Sequence, residues 1–96
     1  MSIDEIKKKL SEHKEELQKK YKIREIGLFG SFVKNEQNTK SDIDILVKFE
    51  VTPTLLKFIS LENCLSDLLG IKVDLVMKRA LKPTIGKTIL EEVIFI

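Results

Sequence analysis

Two carboxylates separated by one residue open an apolar segment near the middle of the chain. Asp42 and Asp44 stand in the stretch Ser-Asp-Ile-Asp-Ile-Leu-Val, and this pattern predicts a β-strand over residues 42–49. Side chains two residues apart on a strand point to the same face, so these two negative charges should lie side by side. A divalent cation is the simplest thing that would relieve their repulsion, and the pair therefore predicts a metal site.

A third carboxylate lies in a later apolar segment. Asp74 is flanked by Val73 and Leu75 in a strand predicted over residues 71–77, where an unpaired charge is costly. Three carboxylates without His or Cys form a hard-oxygen cluster that suits Mg²⁺, with Mn²⁺ as the alternative, and disfavours zinc. Such a cluster fits two-metal phosphoryl transfer. The structural alternative is that Asp42 is an exposed strand-end residue.

A glycine and a serine end the apolar segment that precedes the carboxylates. Residues 24–30 predict a buried strand, Gly30 permits a sharp turn, and Ser31 can cap a short helix over residues 31–35. Free backbone N–H groups and a hydroxyl at the start of a helix can hold a phosphate. An ordinary turn is the alternative, because Gly-Ser is common in turns.

Helices are predicted around these strands. Residues 2–21 form an amphipathic pattern that begins with the capping box Ser2 and Glu5. Thr52 as the N-cap and Pro53 as the first helical residue should open a second helix, which ends at Leu69 before Gly70. Its predicted buried face consists of the apolar residues Leu55, Phe58, Ile59, Leu61, Leu65 and Leu68.

A last helix is predicted from Pro83 or Thr84 to about Val93, followed by the apolar residues 94–96, which should either pack into the fold or meet a partner. Strands thus alternate with helices in the order α-β-α-β-α-β-α. This order predicts an α/β fold with a small mixed sheet of three to four strands and flanking helices.

The length and composition of the chain limit the classes of protein to which it can belong. Ninety-six residues predict one domain, and no apolar run approaches the length that spans a bilayer. With a formal net charge of +2, five Phe, one Tyr and no basic stripe, direct nucleic-acid binding is not expected. The single cysteine, Cys64, cannot form an internal disulfide and favours a reducing cytoplasm.

The spacing of these motifs resembles the signature of the DNA-polymerase-β-like nucleotidyltransferases. Gly30-Ser31 is followed after ten residues by Asp42-Ile43-Asp44, and the short chain, the segment 73–76 and the basic segment 78–83 resemble the minimal, MNT-type branch. The resemblance implies one minimal nucleotidyltransferase domain over residues 1–96.

The same resemblance implies roles for the motif residues. Gly30 and Ser31 would bind the triphosphate of ATP, Asp42 and Asp44 would hold two Mg²⁺ ions, and Asp74 would share the catalytic ion and accept the proton of the attacking hydroxyl. Three basic residues are candidate phosphate contacts, with ordinary surface charge as the alternative: Lys34, Lys40 and Arg79.

The resemblance also implies a partner. MNT-type proteins are antitoxins that transfer AMP from ATP to a tyrosine of a helical, HEPN-type ribonuclease toxin. The resemblance therefore predicts a hetero-oligomer with the toxin, or a homo-oligomer when the chain is alone. The alternative is that the chain is a binding module with a vestigial active site, which neutralises the toxin by contact alone. The presence of all three carboxylates, Asp42, Asp44 and Asp74, favours the enzyme.

Overall fold

Three α-helices and four strands make up most of the chain that the computed structural model describes, which comprises residues 2–30 and 42–96. The short helix predicted over residues 31–35, together with Ser31, Lys34 and Lys40, lies outside these ranges. In chain order the elements are α1 (Ile3–Tyr21), β1 (Ile23–Phe29), β2 (Ile43–Phe49), α2 (Leu55–Leu69), β3 (Val73–Met77), a 3₁₀ turn (Lys78–Ala80), α3 (Pro83–Glu92) and β4 (Ile94–Phe95).

The strands form one mixed sheet in the order β3-β2-β1-β4. β1 pairs antiparallel with β2 and with β4, whereas β2 and β3 run parallel. The predicted α/β class with a small mixed sheet and flanking helices is therefore confirmed. Of the two expectations for the apolar residues 94–96, the structure shows packing into the fold: β4 pairs with β1, and Ile96 N donates to Ile26 O at 2.9 Å.

The main core lies between one face of the sheet and the helices α1 and α2. Hydrophobic side chains at alternate strand positions meet one stripe of each helix. The fully or almost fully buried members are Ile6, Leu10, Leu17, Tyr21, Ile23, Ile26, Leu28, Ile43, Ile45, Val47, Leu61, Leu65, Leu69, Val73 and Leu75. In the described part of the chain, no helix is long and apolar enough to cross a membrane.

A register shift in β1 explains an irregularity in this core. Ile23 and Ile26 are both buried although they are three residues apart, because the pairing with β2 shifts between Ile23 and Glu25. A bulge of this kind adds one residue to a strand and returns the next side chains to the core face.

The helix ends are partly as predicted. The hydroxyl of Ser2 caps α1 by accepting from Glu5 N at 3.3 Å, and Gly70 ends α2 in the left-handed region. The predicted N-cap Thr52 is wrong: α2 begins two residues later, where Thr54 Oγ1 accepts from Lys57 N at 3.2 Å. Both threonines suit an N-cap chemically. Pro53 favours Thr52 by local sequence, but in the structure Pro53 lies before the helix.

The predicted buried face of α2 also needs correction. Leu61 and Leu65 are fully buried as expected, and Leu69 joins them, but Leu55 is 74% exposed and Ile59 is 42% exposed. Phe58 and Leu68 are half-buried and pack against the core. Full burial in α2 therefore begins only at Leu61, and helical periodicity overestimates the buried face near the start of the helix.

Candidate active site

Asp44 and Asp74 lie side by side on neighbouring strands. They are paired residues in the parallel register of β2 and β3. The residues just before them, Ile43 and Val73, are buried in the main core, and because side chains alternate, the two aspartates point to the opposite face of the sheet. Ile43 N donates to Lys72 O at 3.0 Å, which joins the beginnings of the two strands.

Asp42 lies next to this pair but just outside the sheet. β2 begins at Ile43, so the prediction that Asp42 is itself a strand residue is wrong by one position. Its side chain is exposed, and its Oδ2 lies 3.9 Å from Nζ of Lys72, which is also exposed. An ion pair in water at that distance contributes little to stability, so it does not lock the Asp42 side chain.

The charges of the three aspartates act on one another. Burial raises the pKa of the Asp44 carboxyl above its usual value, and the negative charges of Asp74 and then Asp42 raise that pKa further. Asp44 is half-buried, whereas Asp42 and Asp74 are exposed. The folded chain therefore concentrates negative charge at the start of β2 and β3, as the sequence pattern predicts.

A second apolar cluster lies on the face of the sheet that carries Asp44. Leu46, two residues further along β2, is on the same face and only 1% exposed. It pairs with Gly27 of β1 on one side and with Val76 of β3 on the other. Val93 packs over Gly27, where a Cβ atom would come within 2.6 Å of Val93 Cγ2. This second small cluster lies further along β2 on the same face of the sheet as Asp44.

Gly30 brings the end of β1 against Asp44. Phe29, the last residue of β1, is paired with Asp44, and the chain then turns at Gly30 with φ of +82°. A Cβ atom on Gly30 would overlap Oδ2 of Asp44 and lie 3.0 Å from its Cγ. Glycine is thus required both by the left-handed backbone and by the close approach of a carboxylate. The other predicted phosphate-binding residue, Ser31, lies outside the described residues.

The donor set fits a hard divalent cation by its chemistry. Carboxylate oxygens are the ligands that Mg²⁺ prefers, and a cation would relieve the repulsion that raises the pKa of Asp44. Within residues 2–30 and 42–96, no three His, Cys, Asp or Glu side chains are arranged to hold one ion. The exposed side chains of Asp42 and Asp74 would have to rotate to join Asp44 around a metal.

Two residues that matter for the site were missed by the sequence reasoning. Glu62 and Ser66 of α2 accept hydrogen bonds from the backbone of β3 on both sides of Asp74. Their sequence signal is weak, because α2 contains other polar residues and only the spacing of four sets this pair on one face of the helix. Arg79, a candidate phosphate contact, is exposed beyond the far end of β3 and donates to Thr52 Oγ1.

Comparison with known sequences identifies relatives of the whole chain. Residues 10–96 match the family described as the nucleotidyltransferase domain. The chain is 52% identical over 96 residues to protein adenylyltransferase MntA of Thermococcus cleftensis, an alignment that covers 100% of this chain and 97% of the relative.

Comparison with solved structures gives the same result for the fold. A structure described as a proposed minimal nucleotidyltransferase aligns with a TM-score of 0.83 and 32% identity, covering 98% of this chain and 95% of the other. A crystal structure of a toxin–antitoxin with AMP-PNP aligns with a TM-score of 0.72 and 27% identity, covering 88% of this chain and 69% of the other.

Proposed function

Because the chain belongs to the nucleotidyltransferase domain family, we propose that it is an antitoxin that transfers AMP from ATP to a tyrosine hydroxyl of a HEPN-type toxin. Residues 1–96 act as one minimal domain in this proposal. The relative from Thermococcus cleftensis is a protein adenylyltransferase, and one similar structure is a toxin–antitoxin with AMP-PNP, which supports a nucleotide substrate and a protein partner.

The observation that carries the proposal is the pairing of Asp44 with Asp74, with Asp42 beside them. Nucleotidyl transfer needs negative oxygens of the triphosphate to approach a nucleophile, and catalysis of this kind consists mainly of positioning and electrostatic stabilisation. The paired backbones of β2 and β3 hold the attachment points of Asp44 and Asp74 side by side, which supports that positioning.

Each residue has a distinct role in the reaction. The acceptor oxygen attacks the α-phosphorus of ATP, a new P–O bond forms, the bond to the bridging oxygen breaks, and pyrophosphate leaves. Asp74 is exposed on the face shared with Asp44 and takes the proton of the attacking hydroxyl. Gly30 and Ser31 hold the triphosphate.

Asp42 and Asp44 would hold two Mg²⁺ ions, one of them shared with Asp74, and Mn²⁺ could replace them. Bound Mg²⁺ would neutralise the triphosphate charge and stabilise the attacking and leaving oxygens. The carboxylate of Asp74 also accepts a hydrogen bond from the acceptor hydroxyl, which keeps that hydroxyl in line with the bond that breaks.

A protein acceptor is consistent with the small size of the catalytic unit. An acceptor protein brings its own surface, so a domain of this size can select it through a shared interface. The described part of α2 exposes apolar residues at its beginning, among them Leu55, Leu56 and Ile59. Such residues are available for contact with a partner.

The deciding experiment is incubation with α-labelled ATP, Mg²⁺ and the protein encoded by the neighbouring gene. We expect label on the partner with the wild-type chain, and none with Asp42→Asn, Asp44→Asn or Asp74→Asn. Asp67→Asn, which removes an exposed carboxylate of α2 away from the site, is the matched control and should leave transfer unchanged.

Toxicity assays separate the enzyme from the vestigial binding module. If the three Asn variants neutralise the toxin as well as the wild type does and no label is transferred, the contact-only alternative is correct. Mass spectrometry of the labelled partner then tests the tyrosine assignment, since AMP on another side chain would contradict it.

A further inference from the structure

The outer edge of β3 is bonded to α2 by side chains. β3 is an edge strand of the sheet, so the N–H groups that point away from β2 have no strand partner. Val73 N donates to Ser66 Oγ at 3.0 Å, and Leu75 N donates to Glu62 Oε2 at 2.9 Å. The Ser66 hydroxyl in turn donates to Glu62 O at 3.0 Å, which fixes its orientation.

These two bonds flank Asp74. The peptide groups on either side of this residue are attached to α2, while the parallel pairing with β2 places Asp74 beside Asp44. The segment that carries Asp74 is thus fixed from both sides. An edge strand that lacks outer partners is free to fray or slide, and a displacement of a reacting group by about 1 Å can cost about a hundredfold in rate.

Glu62 is suited to this task in its ionised form. A carboxylate that accepts from a backbone N–H makes a bond roughly twice as strong as a neutral pair does. Glu62 is half-buried in the described structure, and its carboxylate accepts from Leu75 N, which points away from β2 and has no acceptor in the sheet. A helix residue thereby acts as an extra sheet partner for β3.

We propose that Glu62, assisted by Ser66, is a positioning residue that holds Asp74 in register with Asp44 for the transfer reaction. The inference rests on the proposed function, in which Asp74 contacts the reacting groups. Glu62 itself touches neither ATP nor the acceptor in this scheme, so its effect should appear in the rate of the chemical step more than in nucleotide affinity.

The test compares Glu62→Ala, Glu62→Gln and Ser66→Ala in the transfer assay, at a temperature where circular dichroism shows each variant folded. We expect Glu62→Ala to lower kcat roughly ten- to a hundredfold with KM for ATP changed by less than about threefold. Glu62→Gln keeps an acceptor and should restore most of kcat, and Ser66→Ala should have the same effect as Glu62→Ala but weaker.

Ser60→Ala is the matched control. It removes the hydrogen bond of 3.2 Å between Ser60 Oγ and Tyr21 Oη, which also joins α2 to the rest of the fold but does not involve β3. A purely structural role for Glu62 would lower the thermal stability of Glu62→Ala and of Ser60→Ala and leave the kcat of both unchanged. The positioning role lowers kcat in Glu62→Ala and, more weakly, in Ser66→Ala, but not in Ser60→Ala.

The outcomes separate the two proposals. A wild-type chain that transfers no AMP overturns the proposed function, and the positioning role with it. If the wild-type chain transfers AMP and Glu62→Ala transfers it at the same rate, the positioning role alone is overturned. If Glu62→Ala does not fold, the decision falls to Ser66→Ala, and wild-type kcat in that variant contradicts the inference.

Discussion

The Cα of Gly30 lies against the carboxylate of Asp44. The backbone of Gly30 has a φ of +82°, and the space that a side chain would occupy is filled by the Asp44 carboxyl group. The end of β1 thus supports one of the three aspartates from a neighbouring strand. In the proposed function, the same contact places the phosphate-binding turn next to a metal-binding carboxylate.

Substitution of Gly30 by alanine should therefore damage activity beyond its effect on stability. The left-handed backbone costs an alanine about 1–2 kcal/mol, and the new methyl group must displace the Asp44 carboxylate. We expect AMP transfer to fall by about a hundredfold or more, as for other small displacements of a reacting group. Transfer kinetics and chemical denaturation measure the two effects separately.

Gly70→Ala is the control for this prediction. Gly70 also has a positive φ, +69°, but a Cβ atom there would meet no atom within 4 Å. The variant should lose a similar free energy of unfolding and keep full transfer activity. Equal loss of activity in both variants would show that backbone strain, and not the contact with Asp44, is responsible.

The pKa of Asp44 predicts an increase in stability when its charge is removed. Burial, and after it the charges of Asp74 and Asp42, raise this pKa in the folded chain. The folded state therefore binds the proton more tightly than the unfolded state, whose carboxyl titrates at about pH 4. Ionisation thus costs stability, which falls as the pH rises from that value through the folded pKa.

We expect Asp44→Asn to raise the melting temperature of the metal-free protein at neutral pH, with the gain shrinking as the pH approaches about 4. Thermal melts across this range, with a chelator present, measure the difference. A clear loss of stability in the metal-free variant would show instead that Asp44 makes a structural hydrogen bond that asparagine cannot replace.

Divalent cations should stabilise the folded chain through the same three carboxylates. A ligand at about one hundred times its Kd adds about 2.7 kcal/mol to the free energy of unfolding. We expect Mg²⁺ to raise the melting temperature of the wild type and of Asp67→Asn, and to have a much smaller effect on Asp42→Asn and Asp74→Asn. Equal shifts in all four proteins would place the bound ion elsewhere.

The contact between β1 and β4 should tolerate no added methyl group at Gly27. A Cβ atom there would lie 2.6 Å from Val93 Cγ2 and 3.2 Å from Ile94 O. Overpacking of this kind typically costs about 1–3 kcal/mol, and we expect Gly27→Ala to lose that much in denaturant titrations. AMP transfer should persist below the unfolding transition, because the substitution does not alter the aspartates. An unchanged free energy of unfolding would mean that β4 shifts to accommodate the added methyl group.

Local sequence patterns were sufficient to predict most of the individual elements. Alternation of apolar residues predicts β2 and β3, and helical spacing with Ser2 as a cap predicts α1, because neighbouring residues alone determine these patterns. The sequence also indicated candidate site residues, because an unpaired charge inside an apolar strand is costly. This argument applies to Asp44, which is half-buried, and not to Asp74, which is exposed. The start of α2 was predicted wrongly, because Pro53 favours Thr52 as the cap by local sequence, whereas the structure uses Thr54.

Only the tertiary structure decides which of these residues meet. The pairing of Asp44 with Asp74 spans 30 positions of the chain, and the contact of Gly30 with Asp44 depends on the antiparallel register of β1 and β2. Such pairings arise from the packing of a whole core, and strand periodicity states which face a residue occupies but not its neighbour on that face. The bonds from Glu62 and Ser66 to β3 exist for the same reason: they require β3 to be an edge strand, and strand order is a property of the complete sheet.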